Sequence, residues 1–293
     1  MINKNTKFLI AGLGLLGGAY AKALKKKGYF VSAVDVNKDS IEYALENKII
    51  DEGAVSDYEL LIEKADVIIS GLYPTTMVEW IEKNKKYLKK GCILTDVSGV
   101  KRGIVNKVQG ILPKDTEFIS SHPMAGKEVS GVRNSDETIF EIANFIVTPT
   151  EKNTVQGIEF AKELGKILGF RNITQLSLEE HDKMIGFVSQ LTHVIAVSLM
   201  NTNDNTHLVE YTGDSFRDLT RIAKINEVLW SELFLLNKDN LVKEIDDFTA
   251  ELNNFREKLV SEDVEGMKKL FIQSTERRKL FDKKDVKNRS RIK

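Results

Sequence analysis

Phe8-Leu9-Ile10-Ala11-Gly12-Leu13-Gly14-Leu15-Leu16-Gly17 runs an apolar strand into a G-x-G-x-x-G turn, and a helical run, Tyr20–Lys27, follows. In that order the glycines have separate tasks. Gly12 permits the tight turn, Gly14 lets the backbone approach a pyrophosphate, and Gly17 lets helix and strand pack closely. The helix start, from Leu15 and Leu16, offers unbonded N–H groups and the positive end of its dipole to an anion. A second strand, Phe30–Val34, ends at Asp35, 18 residues after Gly17. That carboxylate is placed to accept hydrogen bonds from ribose hydroxyls and to repel a 2′-phosphate, which favours NAD over NADP. Gly12, Gly14, Leu15, Leu16, Gly17 and Asp35 are therefore the candidate cofactor-binding residues.

Working outward, further short apolar runs read as strands at Val67–Ser70, Cys92–Asp96, Glu117–Ser120 and Asn144–Thr148, with helical patterns such as Val78–Leu88 between them. This alternation predicts an α/β Rossmann-type parallel sheet covered by helices. After Pro149, the last of four prolines, the pattern turns helical with almost no strand signal. Ser177-Leu178-Glu179-Glu180 is a capping-box pattern opening a long helix to about Met200, broad enough in apolar residues to suggest burial on most sides. Further helical blocks start at Ser215 and at Asn240. The expected division is a NAD-binding domain over 1–150, an all-helical substrate and dimerisation domain over 151–281, and a charged, solvated tail over 282–293.

Composition narrows the function. The 293 residues are 42% hydrophobic and 29% charged with zero formal net charge, an ordinary globular balance that argues against a nucleic-acid binder. The continuous apolar runs are far short of a bilayer span, and the polar Met1–Lys7 gives no sign of a signal peptide, so neither membrane nor export is expected. The single cysteine, Cys92, allows no internal disulfide and fits a cytoplasmic protein. The four histidines are scattered without metal-ligand spacing, so no metal site is expected.

Ser120-Ser121-His122-Pro123-Met124-Ala125-Gly126 places a histidine at a strand end, where ligands of open parallel sheets sit. Its imidazole titrates near neutrality and can accept a hydroxyl proton as hydride leaves; on spacing alone it serves equally as a strand-end cap. In Asp214-Ser215-Phe216-Arg217-Asp218-Leu219-Thr220-Arg221-Ile222-Ala223, Asp218 and Arg221 share a helix face, and an arginine fork suits a substrate carboxylate. A surface salt-bridge ladder reads the same way. His193 reads as a core residue of the long helix, and His181 and His207 as surface residues.

Taken together, Gly12–Gly17, Asp96-Val97-Ser98-Gly99-Val100-Lys101, His122-Pro123-Met124-Ala125-Gly126 with Glu128, and Phe216–Ala223 resemble the prephenate dehydrogenase family, which includes arogenate dehydrogenases. The resemblance covers nearly the whole chain. It implies a homodimer of Rossmann and helical domains, with helices exchanged between subunits. It also implies NAD-dependent oxidation of prephenate with loss of carbon dioxide, giving 4-hydroxyphenylpyruvate for tyrosine biosynthesis. By the same resemblance His122 is the catalytic histidine, Arg221 holds a substrate carboxylate, His193 lies near the substrate, and Asp218 and Glu128 stand at the pocket mouth. The family usually reads Asp-x-Gly-Ser-Val-Lys; here the order is Ser98-Gly99, and Ser98 is the candidate for the active-site serine. Thr192 replaces the usual proline before the helix histidine. Arogenate in place of prephenate, a β-hydroxyacid dehydrogenase using Lys183, and a non-catalytic NAD sensor are the alternatives; the His122 and Arg221 motifs fit the last two poorly.

Overall fold

A computed structural model describes residues 2–204 and 207–280. The tail expected over 282–293 lies outside them. The elements run β1 (Lys7–Ala11), α1 (Leu15–Lys26), β2 (Phe30–Val34), α2 (Lys38–Glu46), β3 (Glu52–Ala54), α3 (Glu59–Lys64), β4 (Val67–Ser70), α4 (Pro74–Asn84), β5 (Ile93–Asp96), α5 (Arg102–Ile111) and β6 (Glu117–Phe118). These six strands are all parallel, in the order β3-β2-β1-β4-β5-β6. The order reverses between β1 and β4, and the crevice beyond their carboxyl ends is where such sheets bind ligands.

Alternation along β1 divides the core. Phe8 and Ile10 pack on one face with Tyr20 and Leu24 of α1, whereas Leu9 and Ala11 pack on the other with Ile62, Met77, Ile81 and Val105. A strand buried on both faces has to be apolar throughout, which explains the unbroken run that opens the reading.

The chain then leaves the parallel sheet. Strand β7 (Ser120–Pro123) pairs antiparallel with β8 (Asn144–Thr148), and β8 pairs parallel with β9 (Asn172–Gln175) in a separate three-stranded sheet. The expected strand Glu117–Ser120 is thus two strands in two sheets, and Asn144–Thr148 belongs to the second sheet. Residues 151–175, expected to open the helical part, contribute α6 (Val155–Leu168) and β9. Phe160, Leu164, Leu168 and Phe170 join the same core as Phe8 and Tyr20.

From Ser177 the helical part begins. The capping box is formed, with the Ser177 side chain and Glu180 reciprocally bonded. Helix α7 (Leu178–Ile185) continues through a wider π-turn segment, Gly186–Leu191, into α8 (Thr192–Asn201). By length and composition this stretch would cross a bilayer. Its buried His181, Asp182 and Gln190 are, however, hydrogen-bonded within the protein. Burial on most sides is not what the single chain shows, since Met184, Phe187, Val188 and Met200 are exposed. Then follow α9 (Asp214–Thr220), α10 (Glu227–Leu236), α11 (Lys238–Val260) and α12 (Val264–Lys279). Residues from Val242 onward form a unit of their own. There Phe255 of α11 faces Phe271 of α12 at 6.0 Å, and Asp263 caps α12 through Gly266 N–H.

Candidate active site

The glycine loop is built as its sequence requires. Gly12 adopts φ +94°, and its N–H donates to Val34 O at 2.8 Å. A side chain at Gly17 would meet Gly12 O at 2.0 Å, whereas at Gly14 it would meet nothing within 4 Å. Gly14 therefore faces open space at the start of α1. No side chain caps that end, so the first-turn N–H groups of Leu15 and Leu16 remain available to an anion. Asp35 closes the other side: its carboxylate accepts Leu13 N–H at 2.6 Å and Asn37 N–H at 2.8 Å.

At the same edge of the sheet, the end of β5 carries a buried ionic cluster. Asp96 accepts from Ser120 Oγ at 2.7 Å, Ser121 N–H at 3.0 Å, and Lys101 Nζ at 2.8 Å. Lys101 Nζ also donates to Ser121 O at 2.7 Å. Burial pulls the Lys101 pKa down, and Asp96 opposes that pull. The cluster ties β5 to β7 immediately before His122.

His122 is half-buried in β7. Its Nδ1 lies 2.9 Å from His181 Nε2, and His181 Nδ1 lies 2.8 Å from Asp182 Oδ1. Asp182 in turn accepts the backbone N–H of Lys101 at 2.9 Å and of Arg102 at 2.8 Å, at the start of α5. Burial, then the neighbouring His181 and Lys101, hold the His122 pKa well below the usual 6.5. The expectation of His181 as a surface residue is corrected, because it is fully buried. The signal was present: Leu178, His181, Asp182 and Ile185 are the buried positions of α7, at the three- and four-residue spacing of one helix face.

Ser98 does not reach His122 in this structure. Its hydroxyl is turned into the ionic cluster, donating to Asp96 and to Val100 O at 3.2 Å. The residue beside the histidine is Gly99, where a side chain would come within 3.8 Å of His122 Nε2 and 3.7 Å of Leu233. The reversed Ser-Gly order thus puts the residue without a side chain next to the imidazole.

The remaining candidates lie on and around α8 and α9. Arg221, just after α9, forms an ion pair with Glu128. His193 of α8 donates from Nδ1 to Ser189 O at 2.9 Å, and its ring lies against Trp230 of α10 at 3.7 Å between ring centres, tilted by 31°. Burial lowers the His193 pKa, with Glu128 and Arg221 close enough to act on it. These three expected residues are therefore brought together, with Trp230 added. Asp218 stands exposed on α9, outside that pair, and Lys183 is also exposed. Among the described residues no group of acidic, histidine or cysteine side chains is arranged to hold a metal.

Residues 20–174 match the family described as prephenate dehydrogenase, nucleotide-binding domain, and residues 177–273 match prephenate dehydrogenase, dimerization domain. The prephenate dehydrogenase of Bacillus subtilis (strain 168) is 32% identical over 270 residues, covering 90% of this chain and 72% of that protein. The cyclohexadienyl dehydrogenase of Zymomonas mobilis is 28% identical over 278 residues, 92% of this chain and 94% of that protein. Among solved structures, prephenate dehydrogenase from Aquifex aeolicus in complex with hydroxyphenyl propionate and NAD+ matches with a TM-score of 0.86 at 32% identity. That match covers 96% of this chain and 100% of the other.

Proposed function

The chain belongs to the prephenate dehydrogenase family, and from that membership we propose that it oxidises prephenate with NAD, releasing carbon dioxide and 4-hydroxyphenylpyruvate. The observation that carries the chemistry is His122 of β7, an imidazole whose pKa burial holds well below 6.5 and whose Nε2 lies beside Gly99. NAD fits the loop on this structure's own terms: open space stands over Gly14, and the N-terminus of α1 has no side-chain cap. When bound, NAD supplies the hydride acceptor. Asp35 is placed for the ribose hydroxyls, and Leu15 and Leu16 offer N–H groups to the pyrophosphate.

His122 takes the proton of the ring hydroxyl, acid–base help worth roughly 10²–10⁴-fold. Arg221, released from Glu128, holds a substrate carboxylate, and His193 and Trp230 wall the pocket. Ser98 acts at one remove, through Asp96 and Lys101, and Asp218 contributes charge at the mouth. The exposed apolar side chains from α7 through Gly186–Leu191 to α8 and the match to a dimerization domain support a homodimer. A single buried cysteine suits the cytoplasm.

The test is NADH appearance with NAD plus prephenate or arogenate. Turnover of prephenate is expected; turnover of arogenate alone keeps the mechanism and changes the substrate. His122→Asn should abolish turnover with NAD affinity retained, and unchanged turnover would remove His122 as the base.

A further inference from the structure

The strand positions His122, but two residues of α7 decide which of its nitrogens is free. We propose that His181 and Asp182 are positioning residues that fix His122 in the tautomer with a bare Nε2, and that His181 takes over the charge when that nitrogen is protonated. The consequence for turnover rests on the dehydrogenase reading above; the tautomer follows from geometry alone.

The argument starts at the far end. Asp182 receives the backbone N–H groups of Lys101 and Arg102 on its two oxygens, and backbone N–H groups can only donate. A carboxylate committed as acceptor on both oxygens requires a donor from His181, so His181 Nδ1 carries the hydrogen. His181 Nε2 is then an acceptor, and the 2.9 Å contact requires a hydrogen on His122 Nδ1. The reverse arrangement would set a bare His181 Nδ1 against Asp182 Oδ1 at 2.8 Å, two acceptors facing each other. His122 Nε2 is left as the free lone pair, and it is the nitrogen beside Gly99.

The same chain sets where positive charge goes. The charged and titratable groups acting on His122 are His181 and Lys101, both of which oppose a cation there. At His181 burial is the largest influence and opposes a cation, as it does at His122, and Lys101 opposes it too; but Asp182, hydrogen-bonded to the ring, and Asp96 favour it, and His122 has no such carboxylate. When His122 Nε2 binds the substrate's hydroxyl proton, its Nδ1 proton passes to His181 Nε2. The products are a neutral His122 bearing Nε2–H and an imidazolium at His181 beside Asp182. No proton is created or lost, and the reset is the reverse transfer as Nε2–H leaves to water. The relay makes His122 a stronger base than an isolated buried imidazole. Asn237 steadies the assembly, donating to Asp182 O at 2.8 Å and to Gln190 Oε1 at 2.7 Å.

Two measurements test this. In the unmodified protein, ¹⁵N-histidine NMR, assigned with His122→Asn, should show hydrogen on Nδ1 and a bare Nε2 for both His122 and His181. A protonated Nε2 on His122 in the resting protein overturns the proposal whether or not prephenate is a substrate. In steady state, His181→Gln keeps an acceptor for His122 but cannot take a proton. It should lower kcat by about 10²-fold, the low end of what acid–base help contributes, leave KM and NAD affinity unchanged, and move the acid limb of kcat/KM to lower pH. Asp182→Asn should cost more, because an amide facing His181 reverses both tautomers; the corresponding change in a Ser–His–Asp triad costs about 10⁴ in kcat. Wild-type kcat with an unmoved acid limb in His181→Gln, or a loss of kcat without any shift of that limb, refutes the relay. Absence of prephenate turnover in the unmodified enzyme would instead count against the dehydrogenase reading, with the NMR result still deciding the tautomer.

Discussion

Gly14 and Gly17 belong to one motif yet should fail in different ways when each becomes alanine. At Gly17 the new methyl would stand 2.0 Å from Gly12 O, 3.1 Å from Gly12 C and 3.2 Å from Ile10 Cγ2. A carbon–oxygen contact needs about 3.3 Å, so the overlap is about 1.3 Å against backbone on one side and a buried strand side chain on the other. No rotamer relieves it, and α1 has to move off β1. Overpacking of a tight site costs about 1–3 kcal/mol, occasionally more, and a backbone clash belongs at the top of that range. At about 2–4 °C per kcal/mol, Gly17→Ala should melt about 6–12 °C below the parent and lose NAD binding with it. At Gly14 the methyl meets nothing within 4 Å, and the residue's φ of −72° suits alanine. Stability should change by less than about 1 kcal/mol. The methyl would occupy the approach to the pyrophosphate, and NAD affinity should fall by about tenfold or more, equivalent to about 1.4 kcal/mol. Thermal melts and calorimetric NAD titrations on both variants separate the two effects. A Gly17→Ala protein with the parent's melting temperature, or a Gly14→Ala protein with the parent's affinity, refutes this assignment of roles.

Arg221→Ala should raise KM for prephenate about 10- to 150-fold with kcat little altered, since a hydrogen bond to a charged group is worth about 1.5–3 kcal/mol; an unaltered KM in steady-state assays removes the clamp. Burial holds His122 and His181 below the 6.5 of a free imidazole, so below that pH the unfolded chain binds protons the folded chain refuses. Their contribution to stability is complete above 6.5 and is lost as pH falls toward the folded-state values; urea midpoints should drop between about pH 7.5 and about pH 5.5, and less so in His122→Asn. A flat midpoint over that range contradicts neutral burial of the pair. Light scattering at micromolar concentration should report a dimer, and a stable monomer would contradict an interface built on the apolar side chains from α7 through Gly186–Leu191 to α8.

The parallel sheet was legible because its strands are buried on both faces and so carry no polar interruption. Phe30–Val34 and Val67–Ser70 are read from the sequence with the boundaries they have in the structure. Strand β3, Glu52-Gly53-Ala54, and strand β9, Asn172-Ile173-Thr174-Gln175, lack that signature, being short or largely exposed. The switch of sheets at Ile119 was hidden for a different reason. The run from Glu117 to Pro123 is continuous in sequence, and only pairing partners distinguish Phe118, set against Leu94, from Ser120, set against Thr148. Strand and helix spacing brought His122 and Arg221 forward as candidates, and the family resemblance added Glu128 and His193. Spacing missed His181 because a histidine was weighed alone. Weighed with Leu178, Asp182 and Ile185 on one helix face, it sits where only a bonded, buried imidazole can be accommodated.

The displaced serine has a physical rationale in the same terms. A lysine and an aspartate that are both almost wholly buried persist only if their remaining hydrogen-bonding capacity is satisfied. Asp96 meets that demand with Ser98, Ser120, Ser121 and Lys101 around its two oxygens. Ser98 is therefore committed to the ionic cluster, and its commitment is what frees Gly99 to form the wall next to His122 Nε2. Two networks meet at β7: the Asp96 cluster fixes the strand, and the Asp182 chain fixes the ring. They share Lys101, whose ammonium serves the first and whose backbone N–H serves the second. A substitution at Lys101 would accordingly disturb strand and ring at once, whereas changes at Ser98 act on the strand alone and changes at His181 on the ring alone. Strand position bears on where substrate must sit, and ring tautomer on how fast the proton leaves. The separation predicts that Ser98 variants shift KM and that His181 variants shift kcat.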